Sequence, residues 1–457
     1  MIPTINHWLE NVGFAALGMA IAIPLVRLNI RLAPRLGWVD WPKARGLTEH
    51  QIPIVGQTLV LITTLAFALL GRVFGVSPWL VTTSLVMAIM GYFDDCKPLP
   101  PADKFFVQFF CATSMVLLDP DLHRSLVDAY GAWGAVCGVV FIIGLVNAVN
   151  FIDGIDGLAG LVMGAGAIGF LCLTYNGGIM VGYTIYAALL SGALAVFLYF
   201  NVIKRQCFIG NIGSYFLSYV LAVMHLSVPV AAPGPLSRLC ISGLCFIIPI
   251  ADSMMVVLLR LSTLRSPFQA DKGHLHHRLI QAGLPLRTIL FCFGVIESLG
   301  LSLALAFSGL STLHPSTVPI LVGLSLVSIC TMLVLMLDRT SKRRIETYFR
   351  RLDSGEPIYF LKYQVRHVNG RVLSSTTLRR LEARIAAEIR VNDLCYVQHP
   401  DSIFVTLQTL PEPLKSISAR IENVFLREKV NATLVVDQGE FVKVSYQSAK
   451  TRLRRVQ

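Results

Sequence analysis

The chain has 457 residues, 54% hydrophobic and only 14% charged, with a formal net charge of +12. A soluble domain carries roughly 25% charged residues, so this composition, with a mean hydropathy of +0.64, excludes an ordinary soluble globule and points to a membrane protein. On such a chain a basic excess belongs to cytoplasmic loops rather than to nucleic-acid binding.

A membrane helix needs about 20 apolar residues. Runs of that kind lie near 12–33, 54–73, 78–93, 105–119, 132–149, 157–175, 180–201, 212–230, 239–259, 287–308 and 316–337, which predicts about eleven transmembrane helices. The first run is followed by basic residues and a further span, without a small-residue cleavage site, so no cleavable signal peptide is expected. The ten cysteines include no CxxC pair, and several (Cys111, Cys137, Cys172, Cys292, Cys330) sit inside apolar runs, which reads as helix packing. Alternate loops carry Arg35, Lys43 and Arg45; Lys97 and Lys104; Lys204 and Arg205; Arg260, Arg265, Lys272, Arg278 and Arg287; and Arg339 with Lys342, Arg343 and Arg344. The positive-inside rule puts these loops in the cytoplasm, with the N-terminus outside and the C-terminus inside.

Beyond residue 338 charges become frequent and apolar runs shorten. "EPIYFLKYQV", "SIFVTL", "NATLVV" and "FVKVSY" read as strands. "STTLRRLEARIAAEIR" and "EPLKSISARIENVFLREK" read as amphipathic helices. The expected organisation is an all-α polytopic membrane domain over 1–340 and a cytoplasmic α+β, ferredoxin-like domain over 341–457.

Four polar stretches, "GYFDDCKPLPPADKF", "NAVNFIDGIDGLAGL", "KRQCFIGNIGS" and "SPFQADKGHLHHRL", land on the same cytoplasmic side. Carboxylates close to a bilayer are costly and point to function, while helix capping is the bland alternative. Adjacent Asp94 and Asp95 suit a hard cation such as Mg²⁺, or one of them could act as a base. Asp153 and Asp156, three apart, would project together if their segment is helical. His274, His276 and His277 lie beside Arg265, Lys272 and Arg278. Their spacing is poor for zinc and better suited to holding a pyrophosphate. Acids for a metal and bases for phosphates, at a membrane surface, indicate phosphoryl transfer involving a lipid.

With these residues assembled, the stretch from about 10 to 337 resembles the polyprenyl-phosphate N-acetylhexosamine-1-phosphate transferases (glycosyltransferase family 4), nearest their undecaprenyl-phosphate GlcNAc-1-phosphate branch. The matching stretches, in order, are "GWVDWPKARGLTEHQIPIVG" with Arg45, His50, Pro53 and Gly56, then "GYFDDCKPLPPADKFFVQF", "NAVNFIDGIDGLAGL", "CFIGNIGSYFLSY" and "RSPFQADKGHLHHRLIQAG". The resemblance implies transfer of N-acetylhexosamine-1-phosphate from a UDP-sugar to undecaprenyl phosphate in a bacterial inner membrane. UMP would be released and a lipid-linked envelope glycan begun, with Mg²⁺ as cofactor and Mn²⁺ as a substitute. It implies Asp94, Asp95, Asp156 and His276 as catalytic residues. Lys104, Asn150, Asp153, Phe208, Arg265, His274 and His277 would bind substrate, with Phe208 stacking on uracil. Asp94, Asp95, Asp156 and Asn211 would hold the metal. Asn211 is a departure: the family carries an acid there, and an amide brings no charge. The tail faintly resembles a degenerate GGDEF domain, its signature reduced to "HPDSI", which implies a regulatory or partner-binding remnant rather than a cyclase. Partners expected are the lipid phosphate, the UDP-sugar and the membrane, a homodimer being compatible and nucleic acid not expected. The rival readings are a non-catalytic scaffold on the transferase fold, motivated by Asn211, and a transporter, which predicts polar residues deep in the spans and internal repeats.

Overall fold

The computed structural model describes residues 2–40, 52–177, 181–228, 235–262, 274–276, 279, 284–308, 317, 320–323, 325, 359–367, 394–399, 402–407 and 430–436. The chain forms two compact units, Met1–His276 with Leu286–Met332, and His277–Pro285 with Leu333–Gln457.

The first unit is a helical bundle. Its helices are α1 (Ile2–Leu36), α2 (Gly56–Phe74), α3 (Pro78–Cys96), α4 (Pro101–Leu118), α5 (Pro120–His123), α6 (Ala129–Ile152), α7 (Leu158–Gly177), α8 (Val181–Leu198), α9 (Gly210–Ser227), α10 (Pro235–Leu244), α11 (Ile247–Ser262) and α12 (Leu286–Ser308). Prolines punctuate the chain, standing at or near the first position of α3, α4 and α5, where a missing N–H is harmless. Trp8–Leu36, Pro120–Ile152, Val181–Ile203 and Leu286–Ser308 are each long and apolar enough to cross a membrane, and the bent pair α10–α11 qualifies as a further span. Several helices of this length and composition make the chain a multi-pass membrane protein. Nine of the first ten apolar runs each coincide with a helix, the exception being 239–259; the eleventh, 316–337, lies mostly outside the described residues.

At the centre of the bundle stands α9. Every residue from Ile212 to Leu226 is buried, the signature of a helix enclosed on all sides. It packs against α2, α3 and α6. Polar side chains tie these helices together. The Tyr219 hydroxyl lies 2.9 Å from Thr83 Oγ1 on α3 and 3.0 Å from the Cys111 carbonyl on α4. Gln108 of α4 and Asn147 of α6 exchange amide hydrogen bonds, the shorter being 2.6 Å. Asn147 is thus satisfied as a helix-packing group. Away from this core Leu69, Phe106, Phe110 and Phe291 are well exposed, as befits side chains bathed in lipid.

One predicted span is corrected. The run 239–259 is not a continuous helix: its two halves, α10 and α11, meet at 108°. Hydropathy is blind to such a break. Buried Glu297 of α12 accepts the backbone N–H groups of Ile247 (3.3 Å) and Ile248 (3.0 Å), the first two residues of α11. Pro249, next in line, has no N–H to satisfy. The carboxylate therefore supplies what a helix start buried in apolar surroundings lacks.

In the first unit β1 (Val39–Asp40) pairs antiparallel with β2 (Ile52–Pro53); in the second unit β3 (Tyr359–His367), β4 (Leu394–His399), β5 (Ser402–Leu407) and β6 (Val430–Val436) form an antiparallel sheet in the order β4-β5-β3-β6. β4 was not among the expected strands; "FVKVSY" and both expected helices lie outside the described residues.

Removing the cap on α11 should be measurable. Glu297→Ala leaves two buried N–H groups unpaired, at about 1–3 kcal/mol each, so the thermal midpoint of the detergent-solubilised protein is expected to drop by several degrees. Glu297→Gln keeps one acceptor oxygen and should lose less. Equal midpoints for all three proteins would show that the cap carries no stability.

Candidate active site

Adjacent Asp94 and Asp95 read either as a shared cation site or as a base beside a metal ligand. The structure gives their carboxylates different partners, because neighbours on a helix point about 100° apart. Asp94 is buried at the end of α3. Its Oδ1 accepts the Leu99 N–H at 2.8 Å, which fixes the turn into α4. Lys104 of α4 brings its Nζ to 3.3 Å from Oδ2, and the Tyr215 hydroxyl of α9 is 3.1 Å from the same oxygen.

Asp95 faces the N-terminus of α9. Its Oδ1 accepts the Asn211 N–H at 2.8 Å and its Oδ2 the Ile212 N–H at 3.0 Å. Two otherwise orphaned donors are paired, and a negative charge meets the positive end of the helix dipole. Two glycines permit the approach. Gly210 has φ +70°, and a methyl group there would lie 2.9 Å from Asp95 Oδ2. At Gly91 a methyl group would meet the Asn211 carbonyl oxygen at 2.6 Å and the Ile212 Cα at 2.5 Å.

The end of α6 supplies the next group. Asn150 Nδ2 donates to Asn211 Oδ1 at 2.9 Å, and Asn150 Oδ1 lies 3.3 Å from the Tyr215 hydroxyl. The single proton of the Tyr215 hydroxyl is shared between Asp94 Oδ2 and Asn150 Oδ1, and with the Asn150–Asn211 bond this ties α3, α9 and α6 together. Asp153 ends α6, and its carboxylate, like those of Asp94 and Asp95, acts electrostatically on the Tyr215 hydroxyl.

The helical segment on which Asp153 and Asp156 would project together is not formed. The segment between them is not helical: Gly154 follows the end of α6, and Gly157, with φ +84°, turns the chain into α7. Asp156 faces Asn201 and Arg205. Burial raises its carboxyl pKa above the ordinary value, with Arg205 and Asn201 pulling the other way. Phe208 is half-buried; its main chain donates to Pro53 O at 2.9 Å and accepts from the Val55 N–H at 2.8 Å, lacing the stretch before α9 to the start of α2.

His274 packs its ring 5.3 Å from that of Phe151, next to Asn150, so the histidine stretch joins the end of α6. His274 and His276 stack at 5.8 Å, and His276 is completely buried. Arg45, His50, Arg265 and His277 lie outside the described residues. The sequence reading missed two participants. Tyr215 stands inside a quoted stretch but was given no role. Asp252 lies within "IIPIADSMMVVLL", which reads as part of a span. A lone carboxylate in an apolar run is the signal that could have found it. Its Oδ2 is 2.9 Å from His274 Nδ1, and its Oδ1 accepts the Leu275 N–H at 2.6 Å.

Residues 77–228, which hold α3 to α9, match the family described as glycosyl transferase family 4. A probable undecaprenyl-phosphate N-acetylglucosaminyl 1-phosphate transferase of Bacillus subtilis is 27% identical over 296 residues, 62% of this chain and 81% of that protein. An undecaprenyl-phosphate alpha-N-acetylglucosaminyl 1-phosphate transferase of Yersinia pestis is 26% identical over 270 residues, 56% of this chain and 73% of that protein. A decaprenyl-phosphate N-acetylglucosaminephosphotransferase of Mycobacterium tuberculosis is 30% identical over 125 residues, 24% of this chain and 30% of that protein.

The close approach of α3 to α9 yields a test. Gly91→Ala should push the helices apart at Asn211 and destabilise the solubilised protein by about 1–3 kcal/mol, the scale of overpacking. Gly144→Ala, on α6 with no neighbour within 4 Å of the added methyl, should leave the unfolding midpoint unchanged or raise it slightly. Equal behaviour of the two variants would contradict the close α3–α9 contact.

Proposed function

We propose that this protein transfers N-acetylhexosamine-1-phosphate, with GlcNAc-1-phosphate as the first candidate, from a UDP-sugar to undecaprenyl phosphate on the cytoplasmic face of the inner membrane. The observation that carries the reading is the chain Lys104–Asp94–Tyr215–Asn150–Asn211, which lies within the family-matched segment. The names of the relatives and their coverage support it further.

Each group has a task. Lys104 places a cation beside Asp94 and would hold the lipid phosphate. Asp94, whose Oδ2 lies toward that cation, would accept the proton of the phosphate as its oxygen attacks the sugar-bearing phosphorus. The phosphorus–oxygen bond to the uridine phosphate breaks, and UMP leaves with its electron pair. Asp95 would act from behind by keeping Asn211 and α9 in place. Asn150 and Asp153 would orient nucleotide and sugar phosphate, and His274 the diphosphate.

The donor set suits Mg²⁺, since Asp94, Asp153, Asn150 and Asn211 offer only hard oxygens. Mg²⁺ needs one or two carboxylates and completes its shell with water and substrate phosphate. Among the described residues no group of three or more His, Cys, Asp or Glu side chains converges on a single point. This favours a small set centred on Asp94 and Asn211 over the four residues that the family resemblance implies. When bound, the ion would neutralise phosphate charge.

The scaffold reading is kept by one observation: Asn211 brings an amide where the family carries an acid, and its oxygen already accepts from Asn150.

Two measurements decide. Purified full-length protein with undecaprenyl phosphate, Mg²⁺ and a panel of UDP-sugars should release UMP with at least one UDP-N-acetylhexosamine; no release with any donor would refute the transferase. Asn211→Asp adds a negative oxygen, so the Mg²⁺ concentration for half-activity should fall several-fold. Turnover need not rise, since tighter ground-state binding does not lower the barrier. If only Asn211→Asp releases UMP, the native protein is a scaffold.

A further inference from the structure

Asp252 is a buried acid in the middle of an apolar helix, and the proposed reaction assigns it nothing. Its exposure is 2%, and it reaches the histidine stretch from 22 residues away in sequence. Both of its oxygens are engaged, one by a ring nitrogen and one by a backbone N–H of the same stretch. A carboxylate can only accept, so both partners donate. The proton between Asp252 and His274 therefore sits on Nδ1, which leaves Nε2 as the atom that can meet a substrate. A hydrogen bond at one ring nitrogen sets the role of the other.

We infer that Asp252 is the positioning residue of this site: it fixes both the proton and the orientation of His274, so that Nε2 addresses the phosphates of the sugar-nucleotide donor. The inference rests on the proposed transferase for its substrate, but not for its geometry. Three observations agree. The Leu275 N–H bond of 2.6 Å holds the backbone beside the ring. The Phe151 ring, 5.3 Å away, braces the imidazole against the end of α6, next to Asn150. Glu297 caps the first residues of α11, the helix that carries Asp252, and so anchors the acid to α12. His276 Nδ1 is also 3.9 Å from Asp252 Oδ2, too long for a hydrogen bond, so the direct partner is His274.

The geometry distinguishes Asp252→Asn from every conservative change. An amide has one acceptor oxygen and turns an NH₂ on the other partner. It can serve His274 Nδ1 or the Leu275 N–H, but not both. Asp252→Glu keeps two acceptors on a stem longer by one methylene.

The test is a double-mutant cycle on the full-length protein, with UMP release from UDP-GlcNAc and undecaprenyl phosphate as readout. Asp252→Asn and His274→Gln should each lower kcat/KM by at least about tenfold, and the double variant should lose little more than His274→Gln alone, because the acid acts through the ring. Asp252→Glu should recover part of the loss. Multiplying losses, or full activity in a folded Asp252→Asn protein, would overturn the inference. A second readout needs no activity. In protein labelled with ¹⁵N-histidine, at about pH 8.5, where an ordinary imidazole is neutral, the signal lost in His274→Gln should show a protonated Nδ1. In Asp252→Ala, which removes both acceptor oxygens, the proton should shift toward Nε2. An unprotonated Nδ1 in the native protein, or an unchanged tautomer in the variant, would refute Asp252 even if no UDP-sugar proved to be a donor. Absence of UMP release with the expected tautomers would instead count against the transferase alone.

Discussion

The site hangs on the carboxylate of Asp95 at the head of α9. Both oxygens take backbone N–H groups from a helix more than a hundred residues away. An exposed cap stabilises a helix by about 1 kcal/mol. Here the cap is partly buried and joins two helices, so its loss would both orphan two donors and loosen α3 from α9. Everything else in the cluster is measured from that junction: Asn211 lies on the first turn of α9, Tyr215 one turn further on, and Asp94 one residue before the cap.

This division of labour changes how the acid pair is understood. Side by side in sequence, Asp94 and Asp95 look like a bidentate metal trap. In space one is a structural anchor, and the other is tied to a lysine and a phenol. Asn211 then makes physical sense. With Asn150 it forms an amide pair that keeps the α6–α9 junction satisfied without adding charge, at the expense of electrostatic attraction for a cation.

Much of this was legible in the sequence, and the failures have physical causes. Long apolar runs announce helices because the bilayer fixes their length, and the polar stretches announced the site because charge near lipid is expensive. What hydropathy cannot show is continuity: the break between α10 and α11 depends on Glu297, fifty residues downstream. The 153–156 pair was read on helical spacing, whereas Gly154 and Gly157 take the segment out of the helix. Asp252 passed as part of an apolar span because its partners are distant in the chain. Capping by Asp95 was invisible for the same reason.

The most direct measurement sets Asp94→Asn against Asp95→Asn in one preparation, recording thermal unfolding and UMP release together. Asp95→Asn replaces one acceptor by an NH₂ facing a backbone N–H, so it should lose several degrees of stability along with activity. Asp94→Asn also trades an acceptor for an NH₂, but Lys104, its side chain 26% exposed, can turn to water, so it should lose less stability than Asp95→Asn yet at least about a hundredfold in turnover, the scale of a missing catalytic base. Equal losses of stability in the two variants, or a stable and active Asp94→Asn protein, would contradict the separation of anchor and base.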